Sequence, residues 1–294
     1  MRWEKLRRSR NIEDRRGQPT SRRPVAAGGG CGMLLLLLIV AVVFQVNPLE
    51  LIGSNNLPPA TPQTQQNPGQ SDQLADFVAA IKGSTEEEWT KIFHQYGREY
   101  RPAKLINYSG STPMPGGLAQ SATGPFYLPA NETIYLDTSF FSQLQHMARD
   151  RSDFDFACAY VIAHEVGHHV QKLLGYTQQV HSQRGRISQN QYNQLSVRLE
   201  LQADFLAGIW AHHANARMQR NEGHSLLEEG DIEEAMRAAQ AIGDDALQRS
   251  QSGRVVPDSF THGTSAQRLR WFTRGLQSGD PNDGNTFTIP YHQL

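Results

Sequence analysis

Apolar positions along this chain fall into one unbroken block and several periodic stretches. The block covers residues 33–46 and is interrupted only by Gln45. Its 14 residues are short for a membrane span, but with the flanks at 28–32 and 49–52 it approaches the ~20 residues a bilayer needs. A helix apolar on every side is not a soluble surface helix. One transmembrane helix is therefore expected over 33–52.

Elsewhere the apolar residues recur at helical or strand spacing. Leu74, Phe77, Val78 and Ile81 predict a helix beginning near Ser71-Asp72. Trp89, Ile92, Phe93 and Tyr96 predict a second, started by Ser84-Thr85-Glu86. Short strands are expected at Lys104–Tyr108, Phe126–Leu128 and Thr133–Asp137, with a Gly-, Pro- and Ser-rich loop over 110–124. A helix capped near Ser152-Asp153 then runs to Leu174, closed by Gly175. Another covers about 188–215, and a further one 231–247, with Ile232, Met236, Ala239 and Ile242 inward. Thr264 with Gln267 forms a capping box before Leu269, Trp271, Phe272 and Leu276.

These elements predict a mainly helical α+β domain with a small sheet over 72–280, joined to the apolar block by a linker at 53–71 and followed by a peripheral tail at 281–294. The linker is Asn, Gln, Pro, Gly, Ser and Thr, a composition that cannot bury a core.

Charge sharpens the picture at the N-terminus. Residues 1–32 hold nine Lys/Arg against three acids, so +6 of a net −1 lies there and −7 in the remainder. An acidic domain is a poor nucleic-acid binder, and no nucleic acid is expected as partner. A basic flank before an apolar block predicts a cytoplasmic tail over 1–32 and a single-pass inner-membrane protein with its domain outside the cytoplasm. A cleaved signal peptide fits less well, because Asn47-Pro48-Leu49 is no small-x-small site. Cys31 and Cys158 are the two cysteines, too few for a disulfide framework.

The chemistry centres on His164-Glu165-Val166-Gly167-His168, an HExxH pattern on a predicted helix. Residues four apart share a helix face, so His164 and His168 can address one zinc ion. Glu165 lies beside them, positioned as general base toward water held at the metal. His169 points about 100° around the helix from His168, which suits a supporting role. The metzincin continuation would need Gly at Gln171 and His at Leu174, so the third ligand lies elsewhere. Glu200 and Asp204, four apart on the next long helix, share a face with Ala203, Ala207 and Gly208. Small residues there, and Ala163 and Gly167 on the metal helix, would let the helices approach until Glu200 reaches the ion. Asp204 would then hydrogen-bond a ligand imidazole. His212 and His213 lie ~18 Å further along that helix and cannot share the ion.

HExxH followed by ExxxD is the gluzincin pattern. The run Glu200-Leu-Gln-Ala-Asp204-Phe-Leu-Ala-Gly208, with the N-terminal apolar block and linker, resembles the bacterial membrane-anchored putative neutral zinc metallopeptidases. The resemblance implies a zincin-like domain with His164, His168 and Glu200 as zinc ligands and Glu165 as catalytic residue. It implies no defined substrate. The run from Thr261-His262-Gly263 to Arg268 is similar to the Thr-His-Pro…Arg segment of membrane-associated gluzincins, with Gly263 standing in place of Pro. That likeness implies a place for His262 near the active site, as donor to the oxyanion.

The expected function is hydrolysis of peptide bonds in peptides or proteins near the membrane, with Zn2+ as cofactor. A non-catalytic zinc-stabilised envelope binding module and a zinc hydrolase of a non-peptide amide or ester remain as alternatives. An open fourth coordination position beside Glu165 favours catalysis.

Overall fold

The computed structural model describes residues 1–17, 68–138, 140–141, 155–233, 244–245, 248 and 256–294. The expected span at 33–52 and most of the linker lie outside the described residues, as does most of the helix expected at 231–247. Among the described residues no helix is long and apolar enough to cross a membrane.

Five helices and two small sheets are described, a mainly helical α+β arrangement. The helices are α1 (Pro68–Gln95), α2 (Asp155–Leu174), α3 (Tyr176–His181), α4 (Gln189–Glu222) and α5 (Ser265–Ser278). The strands are β1 (Ile12–Asp14), β2 (Lys104–Tyr108), β3 (Ser111–Met114), β4 (Gly117–Gln120), β5 (Phe126–Leu128) and β6 (Thr133–Asp137). β1, β2, β6 and β5 form one sheet in that order, parallel except for the β5–β6 pair. Strands β2, β5 and β6 fall where the alternation of the sequence put them.

Three expectations change. The stretch 110–124 is not only loop, because β3 and β4 pair as an antiparallel hairpin. Pro115-Gly116 turns it, and Gly116 has the positive φ of 86° that such a turn demands of its second residue. The two helices expected before residue 96 are one, α1. Ser84 and Thr85, which resemble a helix start, are fully buried inside it. The Ser84 hydroxyl accepts from the Trp210 indole at 3.1 Å, and the Thr85 hydroxyl donates back to the Lys82 carbonyl at 2.8 Å. A tertiary partner for Ser84 and a local one for Thr85 thus occupy the groups that would otherwise cap a new helix.

The third change is at the termini. Residues 1–17 are not a free basic tail: β1 pairs with β2, and Trp3 and Leu6 enter the main core. The segment 281–294 is not peripheral either. Thr286 is buried and exchanges hydrogen bonds with the backbone and side chain of Arg198. Leu294 is 2% exposed.

The long helix α4 is the axis of the domain. Ser188 caps it with a capping box, and Gly223 ends it in the left-handed conformation. α5 lies against it where two glycines face each other's backbone. A Cβ on Gly208 would stand 2.2 Å from the Phe272 carbonyl oxygen, and one on Gly275 would stand 2.1 Å from that of Phe205. On its other side α4 meets α2 at Gly167, and this three-helix contact encloses the candidate site.

Candidate metal centre

α2 carries His164 and His168 on the side turned to α4, with Glu165 beside them. His164 and Glu165 are buried and His168 is half-buried. α4 presents Glu200 opposite them. The His164 Nε2 lies 3.3 Å from Glu200 Oε2, and the His168 Nε2 lies 3.5 Å from Glu200 Oε1. One ligand atom from each of the three lies within 4.8 Å of the other two. The sequence pairs are thus brought together as the helical spacing requires.

The other nitrogen of each imidazole is already engaged. His164 Nδ1–H donates to Asp204 Oδ1 at 2.8 Å, and His168 Nδ1–H donates to Gln171 Oε1 at 2.9 Å. Both rings therefore turn Nε2, with its lone pair, toward Glu200. Fixing one nitrogen by a hydrogen bond sets which nitrogen ligates. Two imidazoles and one carboxylate, converging with both tautomers set, fit a zinc ion with one position left for a reactant.

Asp204 is fully buried and is held by four donors. Its Oδ1 accepts from Tyr160 Oη at 2.5 Å, from His164 Nδ1 and from Arg268 Nη2 at 2.9 Å. Its Oδ2 accepts from Arg268 Nε at 2.9 Å. Burial opposes its ionisation, yet the Arg268 guanidinium and then His164 hold the carboxyl down at about 2. Arg268 is itself buried, so the pair neutralises two charges that would each be expensive alone.

Glu165 behaves oppositely. Burial pushes its carboxyl up to about 7, and the backbone N–H of Tyr127 donates to it. Tyr127 belongs to β5, the edge strand of the larger sheet, which therefore borders the site. His169 ties sheet to helix instead of ligating. Its Nδ1 accepts from Tyr127 Oη at 2.8 Å, and its Nε2–H donates to the Arg101 carbonyl at 2.6 Å. His212 and His213 stay away from the centre, binding the Leu276 and Gly279 carbonyls at 2.8 Å each.

His262 lies just before α5, near enough to Glu200 to favour its ionised form. Asp244 organises the loop that carries it. Asp244 Oδ2 accepts from the backbone N–H groups of Thr261, His262 and Gly263 at 2.7, 2.6 and 3.1 Å. The imidazole Nδ1 lies 2.9 Å from the Thr261 hydroxyl and 3.2 Å from Asp244 Oδ1. Gly263 has a φ of 85°, which proline cannot adopt, and its N–H is in use. The departure from Thr-His-Pro thus follows from the backbone this loop takes.

Four supporting residues had escaped the sequence reading. Tyr160 sits four before His164 and Gln171 three after His168, so helical spacing could have found both. Arg268 and Asp244 come from other segments; Arg268 ends the run similar to Thr-His-Pro…Arg, without its contact to Asp204 being readable there, and Asp244 carries no local signal.

The sequence profile described as "Putative neutral zinc metallopeptidase" matches residues 1–287. The chain is 46% identical over 292 residues to the uncharacterized protein YpfJ of Escherichia coli strain K12, covering 98% of this chain and 99% of that protein. It is 41% identical over 216 residues to the uncharacterized protein Rv2575 of Mycobacterium tuberculosis H37Rv, covering 72% of this chain and 70% of that protein. No solved structure gives a significant match.

Proposed function

The chain belongs to the putative neutral zinc metallopeptidase family, and from that premise we propose that it hydrolyses peptide bonds at a zinc-dependent, zincin-like site. The observation that carries this reading is the convergence of two Nε2 atoms and one carboxylate beside a buried, proton-hungry Glu165. His164, His168 and Glu200 would hold the metal, and Asp204 would orient and polarise the first of them. Bound zinc would supply Lewis acidity, polarising the scissile carbonyl and lowering the pKa of water toward ~7.

The chain's own groups would do the rest. Glu165 takes the proton of the attacking water on its carboxylate and passes it to the departing amine. Burial keeps that carboxyl basic enough for the first step and acidic enough for the second. His262, held by Thr261 and Asp244, donates a hydrogen bond to the oxyanion as water adds to the carbonyl. An extended substrate would run along β5, whose outer edge has no neighbouring strand among the described residues.

The apolar block at 33–46 argues for work at a membrane surface, with peptides or proteins there as substrates. Glu165→Gln tests the reading directly. It should retain zinc at wild-type stoichiometry and lose cleavage of an unfolded protein substrate. Wild-type cleavage by that variant would refute the mechanism, and loss of zinc in Glu200→Ala is required by the same assignment.

A further inference from the structure

The first 17 residues are built into the domain. Trp3 and Leu6 are 7% and 2% exposed, in the same core as Phe77 of α1 and Trp210 of α4. The Trp3 ring meets Phe77 edge-on at 5.3 Å, and its indole N–H donates to Asp155 Oδ2 at 3.1 Å, where α2 begins. The Ser9 N–H donates to the Ala79 carbonyl at 2.8 Å. The arm crosses α1 at Gly83, where a Cβ would stand 2.0 Å from the Arg7 carbonyl oxygen. No other residue type fits beneath it.

Polar groups repeat the fit. Glu86 of α1 accepts from Arg7 Nη2 at 3.0 Å, Ser9 Oγ at 2.6 Å and Asn11 Nδ2 at 2.9 Å, and from the buried Lys82 at 2.8 Å. The Arg2 N–H donates to the Leu226 carbonyl at 2.9 Å. The register Ile12↔Leu105, Glu13↔Ile106, Asp14↔Asn107 then makes β1 a strand of the main sheet.

Contacts of this kind form only within one aqueous compartment. Residues 1–17 and α1, which begins at Pro68, must therefore lie on the same side. We infer that the N-terminus and the domain share one compartment, so that the apolar block does not carry the chain once across a membrane. This replaces the topology expected from charge alone.

Two further observations agree. Four of the nine cations that suggested a tail fixed in the cytoplasm are matched by acids of the domain. Arg2 pairs with Glu228, Lys5 with Glu222, Arg7 with Glu86 and Arg8 with Asp76. The excess positive charge of the arm complements the acidic remainder of the chain, so it has a use in the fold. Secondly, the block alone is 14 residues long, and it approaches the ~20 residues of a span only with its flanks.

The inference does not rest on the zinc reading, and its test does not involve hydrolysis. In the full chain with Cys31→Ser, single cysteines would be placed at Arg10 in the arm and at Leu118 in the β3–β4 hairpin, both exposed. Intact cells would be treated with a membrane-impermeant maleimide, before and after permeabilisation. Both positions should label together, either before or only after, with a ratio near one. Labelling of one position in intact cells and of the other only after permeabilisation would overturn the inference. A Lys5→Cys, Glu222→Cys pair should also be joined by a short bis-maleimide in permeabilised cells. Failure there with concordant labelling would keep the shared compartment and refute the docked arm on which the inference stands.

Discussion

A Cβ on Gly167 would stand 2.9 Å from the carbonyl oxygen of Ala203, so α2 and α4 touch with no side chain between them. The same contact lets the short carboxylate of Glu200 reach the two imidazoles. Gly167→Val should push the helices apart, costing about 1–3 kcal/mol as overpacking does. Zinc affinity should fall at least tenfold, and a metal titration alongside urea unfolding would check both.

Asp204 serves ligand and fold together. Asp204→Ala should weaken zinc binding ~10–100-fold, the usual effect of losing the partner of a ligand imidazole. It also strands the Arg268 guanidinium in the interior, an uncompensated charge that costs about 3–5 kcal/mol. Asp204→Ala with Arg268→Met should recover much of the stability and none of the affinity. Recovery of both would show that Asp204 acts only on packing.

His262→Ala should keep zinc and fold while losing ~10²–10³ in kcat, the cost of one oxyanion donor. A raised KM with kcat unchanged would point to substrate binding instead. Gly263→Pro, which restores the residue found in the similar segment, should be worse than neutral here. Its ring forbids the φ of 85° and removes the N–H given to Asp244.

His169 predicts an acid-sensitive joint between sheet and helix. Burial lowers its folded pKa to about 4, below the ~6.5 of an unfolded histidine. Between those values the unfolded chain binds the proton and the folded one does not. Its contribution is therefore complete above pH ~6.5 and is lost as pH falls toward 4. Urea midpoints at pH 7.5 and 4.5 should show wild type losing about 2 kcal/mol more than His169→Gln. Equal slopes would remove His169 from this role.

Gly83→Ala puts a methyl group into the Arg7 backbone and should release the arm. Protease cleavage after Arg10 should then become rapid, while zinc stoichiometry is retained. Continued protection would mean that α1 can shift to take the Cβ.

Much of the site was legible because helical spacing alone fixes which residues share a face. His164 with His168, and Glu200 with Asp204, needed only that geometry, and small residues signalled the close approach. Arg268 was different: nothing near it in sequence reveals that its guanidinium closes on Asp204. The docking of the arm was not legible for a related reason. Its acidic partners at Asp76, Glu86, Glu222 and Glu228 lie far from it in sequence. Ser84-Thr85-Glu86 looks like a helix start, and Gly83 just before it is the groove that the arm occupies. The β3–β4 hairpin hid in a Gly- and Pro-rich stretch because its residues have little apolar alternation.

The arm also sets an order of events on the ribosome. It is made first, yet Arg2 must wait for Leu226 and β1 for β2. At about 5–20 residues per second, synthesis of the intervening chain takes on the order of ten seconds or more. β2 is made part-way through that interval, and its outer edge lies open until β1 docks on it. Slow translation ahead of Leu226 would prolong the time in which a second nascent chain can pair with β2 in its place.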